Sequence, residues 1–295
     1  MDIEGQQRSL ELPQFVRLAP EDSASGLGPL AGLVGIWTGR KGWNLIAVPK
    51  PGQKDGFTLL VRPYYETITF TPLGVLVPDR GASEILNIYG LEYTLRVSDL
   101  LTNQPLHLEN GMWLYTNDPQ NPQGPTIVRH ATVPHGNSVL ALGDSKQADG
   151  PPDIPVIDAF PVGNPFDPPL PGYTDPYLSP PPPKVPGQPP FSTKDPNEVL
   201  REEIKDQTIL STLTLSVSTQ TGTGGIVNIP FIAQNANATA FEAAFWLETV
   251  ENKETGEQSA QLQYSQQTNL EFIKRGDGQG LIMWPHVNVN TLVKQ

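Results

Sequence analysis

Histidine is the side chain through which this chain is best equipped to do chemistry. There are four, His107, His130, His135 and His286, and no cysteine. Without thiols, disulfides, thiolate nucleophiles and Cys-ligated zinc or iron–sulfur sites drop out, and imidazole becomes the main candidate for binding a metal or moving a proton. The spacing does not make a zinc centre. No two histidines sit two to four residues apart on one element, and His130 and His135 flank a bend at Pro134. His107 follows Pro105-Leu106 at the start of a strand, His130 lies inside one, and His135 precedes Gly136 in a turn where a ring can cap backbone, so each reads as structural.

His286 stands apart. It lies in Trp284-Pro-His-Val-Asn-Val-Asn-Thr-Leu-Val293, on the last strand, after a proline and beside an aromatic residue. A single histidine in an otherwise apolar pocket is a common way to hold heme iron. Period-two alternation groups His286 with Asn288 and Asn290 and puts Val287, Val289, Thr291 and Val293 on the other face. With an apolar interior this parity turns His286 outward, unless the bend at Pro285 shifts it. Among carboxylates, Glu66 shares a strand face with Arg62 and Tyr64, and Glu109 lies near His107. Either set can serve as acid and base if it converges inside the fold, and surface ion pairing is the competing fate. Gly222-Thr-Gly224-Gly225 opens a strand and not a helix, which is the wrong context for a phosphate loop. No Gly-x-Ser-x-Gly elbow and no His-Glu-x-x-His is present.

The elements that must carry these residues are strands. Candidates fall at 34–48, 57–71, 84–97, 106–115, 126–133 and 138–143, then at 208–219, 225–233, 240–250, 259–273 and 281–293, separated by Pro, Gly and Asn-Asp clusters. Asn117–Pro122 is one such cluster, and Asn252-Lys-Glu-Thr-Gly256 reads as a hairpin turn. Residues 61–71 alternate cleanly, with Arg62, Tyr64, Glu66, Ile68 and Phe70 on one face. In Gly35-Ile-Trp37-Thr-Gly39, a tryptophan two residues after a glycine can plug one end of a barrel, while the glycines let the strand bend.

Two segments break the pattern. Residues 151–190 hold 16 of the 32 prolines and can sustain neither a helix interior nor a central strand. The spacing of Phe160, Phe166, Tyr173, Tyr177 and Phe191 suggests an extended strap packed on the body, and a free polyproline segment that recruits a partner is the alternative. Asp195–Lys205 is the one clear helix, with Asp195 as N-cap, Pro196 first and Glu198 completing a capping box. The expected fold is therefore all-β: an up-and-down antiparallel barrel of about ten strands, interrupted by the Pro-rich insertion and one short helix. Residues 1–28 read as a tail and 29–295 as a single barrel domain, with the strap at 151–194 and the helix at 195–206. Two separate sandwiches are the other arrangement.

A net charge of −12 and a pI near 4.7 argue against binding nucleic acid or an anionic membrane surface. The first thirty residues show no basic region followed by an apolar one, and no stretch of about 18 apolar residues occurs, so a cytoplasmic location is expected. An open edge strand or an exposed strap can support a homodimer.

The Gly35–Gly39 start, the segment Pro105-Leu-His-Leu-Glu-Asn-Gly-Met-Trp113, and a final strand with a histidine nine residues from the end together resemble nitrobindin-like heme-binding barrels of the lipocalin-like superfamily. That resemblance implies a ten-stranded barrel, ferric heme held through a histidine of the last strand, here His286, and reaction with nitrogen oxides or peroxynitrite. Trp284 and Trp37 join His286 as candidate cofactor contacts. This chain is much longer than that pattern and carries the 151–190 insertion. Three functions follow: a barrel binding heme or a small apolar ligand, an enzyme on the same barrel (heme-dependent, or a cofactor-free isomerase or cyclase using Arg62, Tyr64 and Glu66), or an interaction protein using the Pro-rich segment.

Overall fold

The computed structural model describes residues 26–53, 56–116, 118, 121–163, 173–179 and 181–295. Its strands are β1 (Gly35–Pro49), β2 (Phe57–Pro72), β3 (Val77–Arg80), β4 (Ile85–Asp99), β5 (Pro105–Tyr115), β6 (Ile127–Val133), β7 (Asn137–Asp149), β8 (Thr208–Ser218), β9 (Gly225–Asn228), β10 (Asn237–Glu251), β11 (Gln258–Lys274) and β12 (Leu281–Lys294). Three short helices, α1 (Asp175–Leu178), α2 (Glu198–Ile204) and α3 (Pro230–Asn235), and a 3-10 turn over Gly28–Leu33 complete the described elements.

Ten of the strands close on themselves in the order β2-β1-β12-β11-β10-β8-β7-β6-β5-β4, with β4 returning to β2. Each ring strand pairs antiparallel with the next ring strand in the chain, and β12 pairs with β1. Closure of this kind removes the free edges that a ten-stranded open sheet would expose. β3 extends from β4 outside the ring, and β9 adds to β7. The alternation that the sequence displays is thus the alternation between lumen and outer wall.

One end of the barrel is sealed. Leu27, Leu30 and Leu33 from the start and body of the 3-10 turn, with Leu27 at its N-cap, and Trp37 are fully buried in one cluster, and Trp37 Nε1 donates to the Leu33 carbonyl at 2.7 Å. Trp37 therefore plugs an end, as the glycine-flanked motif suggests. Between Gly39 and Gly42 the register of β1 shifts against β2. A Cβ on Gly42 would lie 2.2 Å from the Tyr64 ring, and one on Gly39 would lie 2.5 Å from the Thr291 carbonyl and 3.0 Å from the Asn290 amide, so these glycines admit the polar side chains behind them.

The outer wall around β1, β12, β11 and β10 is apolar and covered. Trp43, Leu45, Ala47, Trp246, Val287 and Val289 form a second cluster with Ile154, Ala159, Tyr177, Phe191, Val199 and Leu200 from the segment between β7 and β8. Trp43 stacks on Phe191 with ring centroids 4.7 Å apart. Phe57, Tyr173, Phe272 and Trp284 gather at the end of the same cluster, and Trp284 Nε1 donates to the Phe272 carbonyl at 3.0 Å. Of the aromatics expected along this segment, Phe166 lies outside the described residues, as do residues 1–25 of the expected tail.

Several local expectations differ from the fold. The expected strand 225–233 ends at Asn228, because Pro230 withdraws an N–H from pairing and opens α3. The helix at 195–206 is narrower, with Asn197 at the N-cap and no side-chain cap bond. The capping box does not form, since the Asp195 carboxylate is engaged by Arg201 and by the Ile157 N–H. β3 has no counterpart among the expected strands, because Val77-Pro-Asp-Arg80 is exposed at every position and shows no apolar face.

Candidate functional site

The end opposite Trp37 is where polar side chains collect. On β12, His286, Asn288, Asn290 and Leu292 share one face, while Val287 and Val289 sit in the covered outer cluster. Leu292 belongs to the lumen cluster, and Asn290 bonds to Glu66 inside it, so His286 faces the lumen. The outward orientation expected from parity is thereby reversed. Its premise was an apolar interior and a polar exterior. Here the valine face is the outer one, buried with Ile154, Tyr177, Phe191, Val199 and Leu200, and the asparagine row is inside.

His286 is part-buried at the end of the barrel opposite Trp37. Its Nε2 lies 2.8 Å from Oδ1 of Asn44 on β1, and the Asn288 amide donates to the same oxygen at 2.8 Å. Desolvation first, then the neighbouring His107 and His135, push its pKa down to about 3, so the imidazole is neutral throughout the physiological range. The two histidines that contribute to this lowering are far from His286 in sequence. His107 enters from the start of β5 and His135 from the β6–β7 turn, with ring centroids 6.0 Å apart. Two histidines read as structural from sequence thus stand at the same end as His286. His130 points outward on β6 and is exposed.

Deeper in the lumen lie two carboxylates in opposite electrostatic states. Glu66 accepts from Tyr264 Oη at 2.9 and 2.8 Å and from Asn290 Nδ2 at 2.8 Å, and Tyr264 meets Tyr64 Oη at 2.7 Å. Tyr64 reaches on to the Val289 carbonyl at 3.1 Å. Burial raises the Glu66 pKa to about 7, against the lowering effect of Asn290, Tyr264 and His107. In its protonated form Glu66 can donate to Tyr264, Tyr264 to Tyr64 and Tyr64 to Val289, which satisfies every hydroxyl in the chain.

Glu109 is the counterpart. Burial alone would raise it, but Arg129, 2.7 Å away through Nη2, together with His107 and Tyr93, holds it down at about 2. Arg129 is itself fully buried and donates to Tyr93 at 3.3 Å and to Gln266 at 3.1 Å. The rings of Tyr93, Trp113, Phe241 and Phe245 surround its guanidinium at 5.1–5.5 Å. This cage lies in the lumen, with Tyr93, Trp113 and Phe245 in the same buried cluster as Trp37. The sequence holds a signal for it: Arg129 interrupts an otherwise apolar period-two face of Ile127 and Ala131.

The other predicted residues are distributed as follows. Tyr64 and Glu66 meet in the lumen. Arg62 shares their face but sits at the rim, about half exposed, with Nε 4.0 Å from the Asp99 carboxylate. Trp284 is enclosed in the outer aromatic cluster, two residues from His286. Trp37 is opposite Lys294, eight residues along β12 from His286, or about 26 Å at the rise of an extended strand. Among the described residues no group of three or more His, Asp or Glu side chains is arranged to hold a bare metal ion, and no helix is long and apolar enough to cross a membrane.

Residues 26–151 match the family model described as the THAP4-like, heme-binding beta-barrel domain. The match spans β1–β7 and includes both segments, Gly35–Gly39 and Pro105–Trp113, that carry the resemblance to nitrobindin-like barrels, while His286 on β12 lies beyond it. Among solved structures, the chain is similar to the crystal structure of Rv2717c from M. tuberculosis, with 18% identity over 94% of this chain and 99% of that one and a TM-score of 0.44. No curated protein matches the chain.

Proposed function

We propose, for a closed barrel whose residues 26–151 match a heme-binding domain family, that the chain binds ferric heme at the end of the barrel opposite Trp37, where His286 would hold the iron. The observation that carries this reading is the orientation of His286: a neutral, part-buried imidazole turned into the lumen. A neutral ring, with one of its nitrogens free of a proton, is the form that iron requires, and the desolvated environment disfavours the doubly protonated ring. The donor set therefore suits the group. Arg62, at the rim and partly exposed, is placed to meet a carboxylate of the bound molecule. Bound heme would supply an iron centre able to bind and transform small oxidants such as nitrogen oxides. The protein's part is to present the imidazole and to occupy the interior beyond it with the buried Arg129 cage.

On this reading Trp284 stiffens the strand that carries His286, and Trp37 seals the far end. Titration of the purified protein with hemin, followed by absorption, tests the proposal. A saturable Soret shift is expected in the wild type and its loss in His286→Ala. A spectrum independent of His286 would refute the axial assignment.

The paired carboxyls favour a second reading on the same lumen. Glu66 near neutrality and Glu109 held ionised are the separation that acid–base catalysis uses. Within that reading Glu66 and Tyr64 remain together, while Arg62 acts only at the rim. Turnover that is lost in Glu66→Gln but retained without heme would support it.

A further inference from the structure

The imidazole of His286 is held from one side, by Asn44. The Asn44 Oδ1 atom accepts from Asn288 Nδ2 and lies at the same 2.8 Å from His286 Nε2. A carbonyl oxygen accepts two hydrogen bonds and donates none, so the ring must carry its proton on Nε2 and point that proton at Asn44. Turning both amides over would reverse the network and move the ring proton to Nδ1. The tautomer of His286 therefore reports the direction of the whole triad.

The backbone shows why a side chain makes this link. β1 and β12 are paired at Trp43↔Val289, Asn44↔Asn288 and Leu45↔Val287, and the pairing stops there. At Met283 the position beside β12 is taken by Val162, which exchanges two backbone bonds with it at 2.8 and 3.0 Å. Between these rungs lie Trp284, Pro285 and His286, and Pro285 has no N–H to offer. The Asn44–His286 bond thus closes the seam between the two strands where the ladder has ended, and it occupies Nε2 of the ring.

We propose that Asn44 is a positioning residue for His286. It holds the ligand-free imidazole by Nε2–H, and a ligand taken at that nitrogen must break this hydrogen bond and shift the ring proton to Nδ1. This deepens the axial reading and rests on it for the ligand, but not for the tautomer. Two consequences follow. In the ligand-free protein His286 is the Nε2–H tautomer with a slowly exchanging ring proton. In Asn44→Leu, which keeps the bulk and removes the acceptor, the hydrogen bond no longer competes, and hemin binds about fivefold more tightly or faster, the factor expected for loss of one competing hydrogen bond.

The experiment pairs two readouts. Nitrogen-15 NMR of the histidine rings in the heme-free wild type and Asn44→Leu reads the tautomer and the exchange of its proton. Hemin titration of the same proteins reads the competition. The expected result is Nε2–H in the wild type, a mixed tautomer with fast exchange in Asn44→Leu, and stronger hemin binding in the variant. An Nδ1–H wild type, or a variant whose ring signals and hemin binding both match the wild type, would overturn the proposal. If Asn44→Leu does not fold, Asn288→Ala removes the donor that orients the Asn44 amide while leaving Asn44 in place, and it should also loosen the tautomer. Hemin binding that ignores His286 would remove the heme reading, while the heme-free tautomer would still decide the role of Asn44.

Discussion

Replacement of Glu66 by glutamine should change the pH dependence of stability in a direction fixed by the lumen network. Burial keeps the proton on Glu66 up to about pH 7, against an ordinary value of 4.5. Below 4.5 both the folded and the unfolded chain hold this proton, and the contribution to stability is fully present. Between 4.5 and 7 the unfolded chain has released it and the folded chain has not, so stability falls as pH rises through this window. Each unit is worth about 1.4 kcal/mol, which over two and a half units gives a loss of about 3 kcal/mol. A glutamine side chain cannot ionise, yet it can accept from Asn290 and donate to Tyr264 as the protonated acid does. The Glu66→Gln variant should therefore gain about 3 kcal/mol on the wild type between pH 4.5 and 7.5, whatever its offset at low pH. The assay is urea unfolding of both proteins at half-unit pH steps, read as the difference between them. Taking the difference cancels Glu248, which burial also raises to about 7, and His286, whose depressed value acts with the opposite sign between about 3 and 6.5. A difference that stays flat across the window, or that shrinks as pH rises, would refute the assignment of a retained proton to Glu66.

Other perturbations separate the lumen's structural parts from its ligand-facing ones. Arg129→Leu leaves the Glu109 carboxylate buried without its cation and should cost about 3–5 kcal/mol in urea unfolding, with much of the loss recovered in Arg129→Leu/Glu109→Leu; a single-variant cost below about 1 kcal/mol would contradict the buried pair. Trp37→Ala opens a cavity at the sealed end and should cost about 3–5 kcal/mol while leaving the hemin spectrum unchanged. A displaced Soret band in that variant would show that the ligand reaches the far end.

Most of the barrel is legible in the sequence because its ring strands obey period two and are separated by strong turn residues. The segments at 57–71, 240–250 and 259–273 differ from the observed strands by at most a few terminal residues. What alternation cannot supply is which face is inside. On β12 the choice between a valine row and a His-Asn-Asn row is decided by an element about a hundred residues upstream, which covers the valines and leaves the polar row to the lumen. The same limit hides the partnership of Glu109 with Arg129. The register pairs Arg129 with Trp113, four residues from Glu109 on β5, so only the reach of the two side chains within the closed lumen joins them. His107 and His135 are legible as residues but not as neighbours of His286, since their convergence depends on barrel closure. β3 and α3 escape the pattern for local reasons: one has no apolar face, and the other begins at a proline that the strand pattern absorbs.

The most direct test of the heme assignment is rescue of a cavity at the axial position. His286→Gly removes the imidazole and leaves a space that free imidazole can enter, while Asn44, Asn288 and Asn290 remain to shape it. With hemin alone the variant should lack the ligated ferric spectrum of the wild type, and millimolar imidazole should restore that spectrum saturably. A variant that shows the wild-type spectrum without added imidazole would contradict His286 as the ligand, and so would one that added imidazole leaves unchanged.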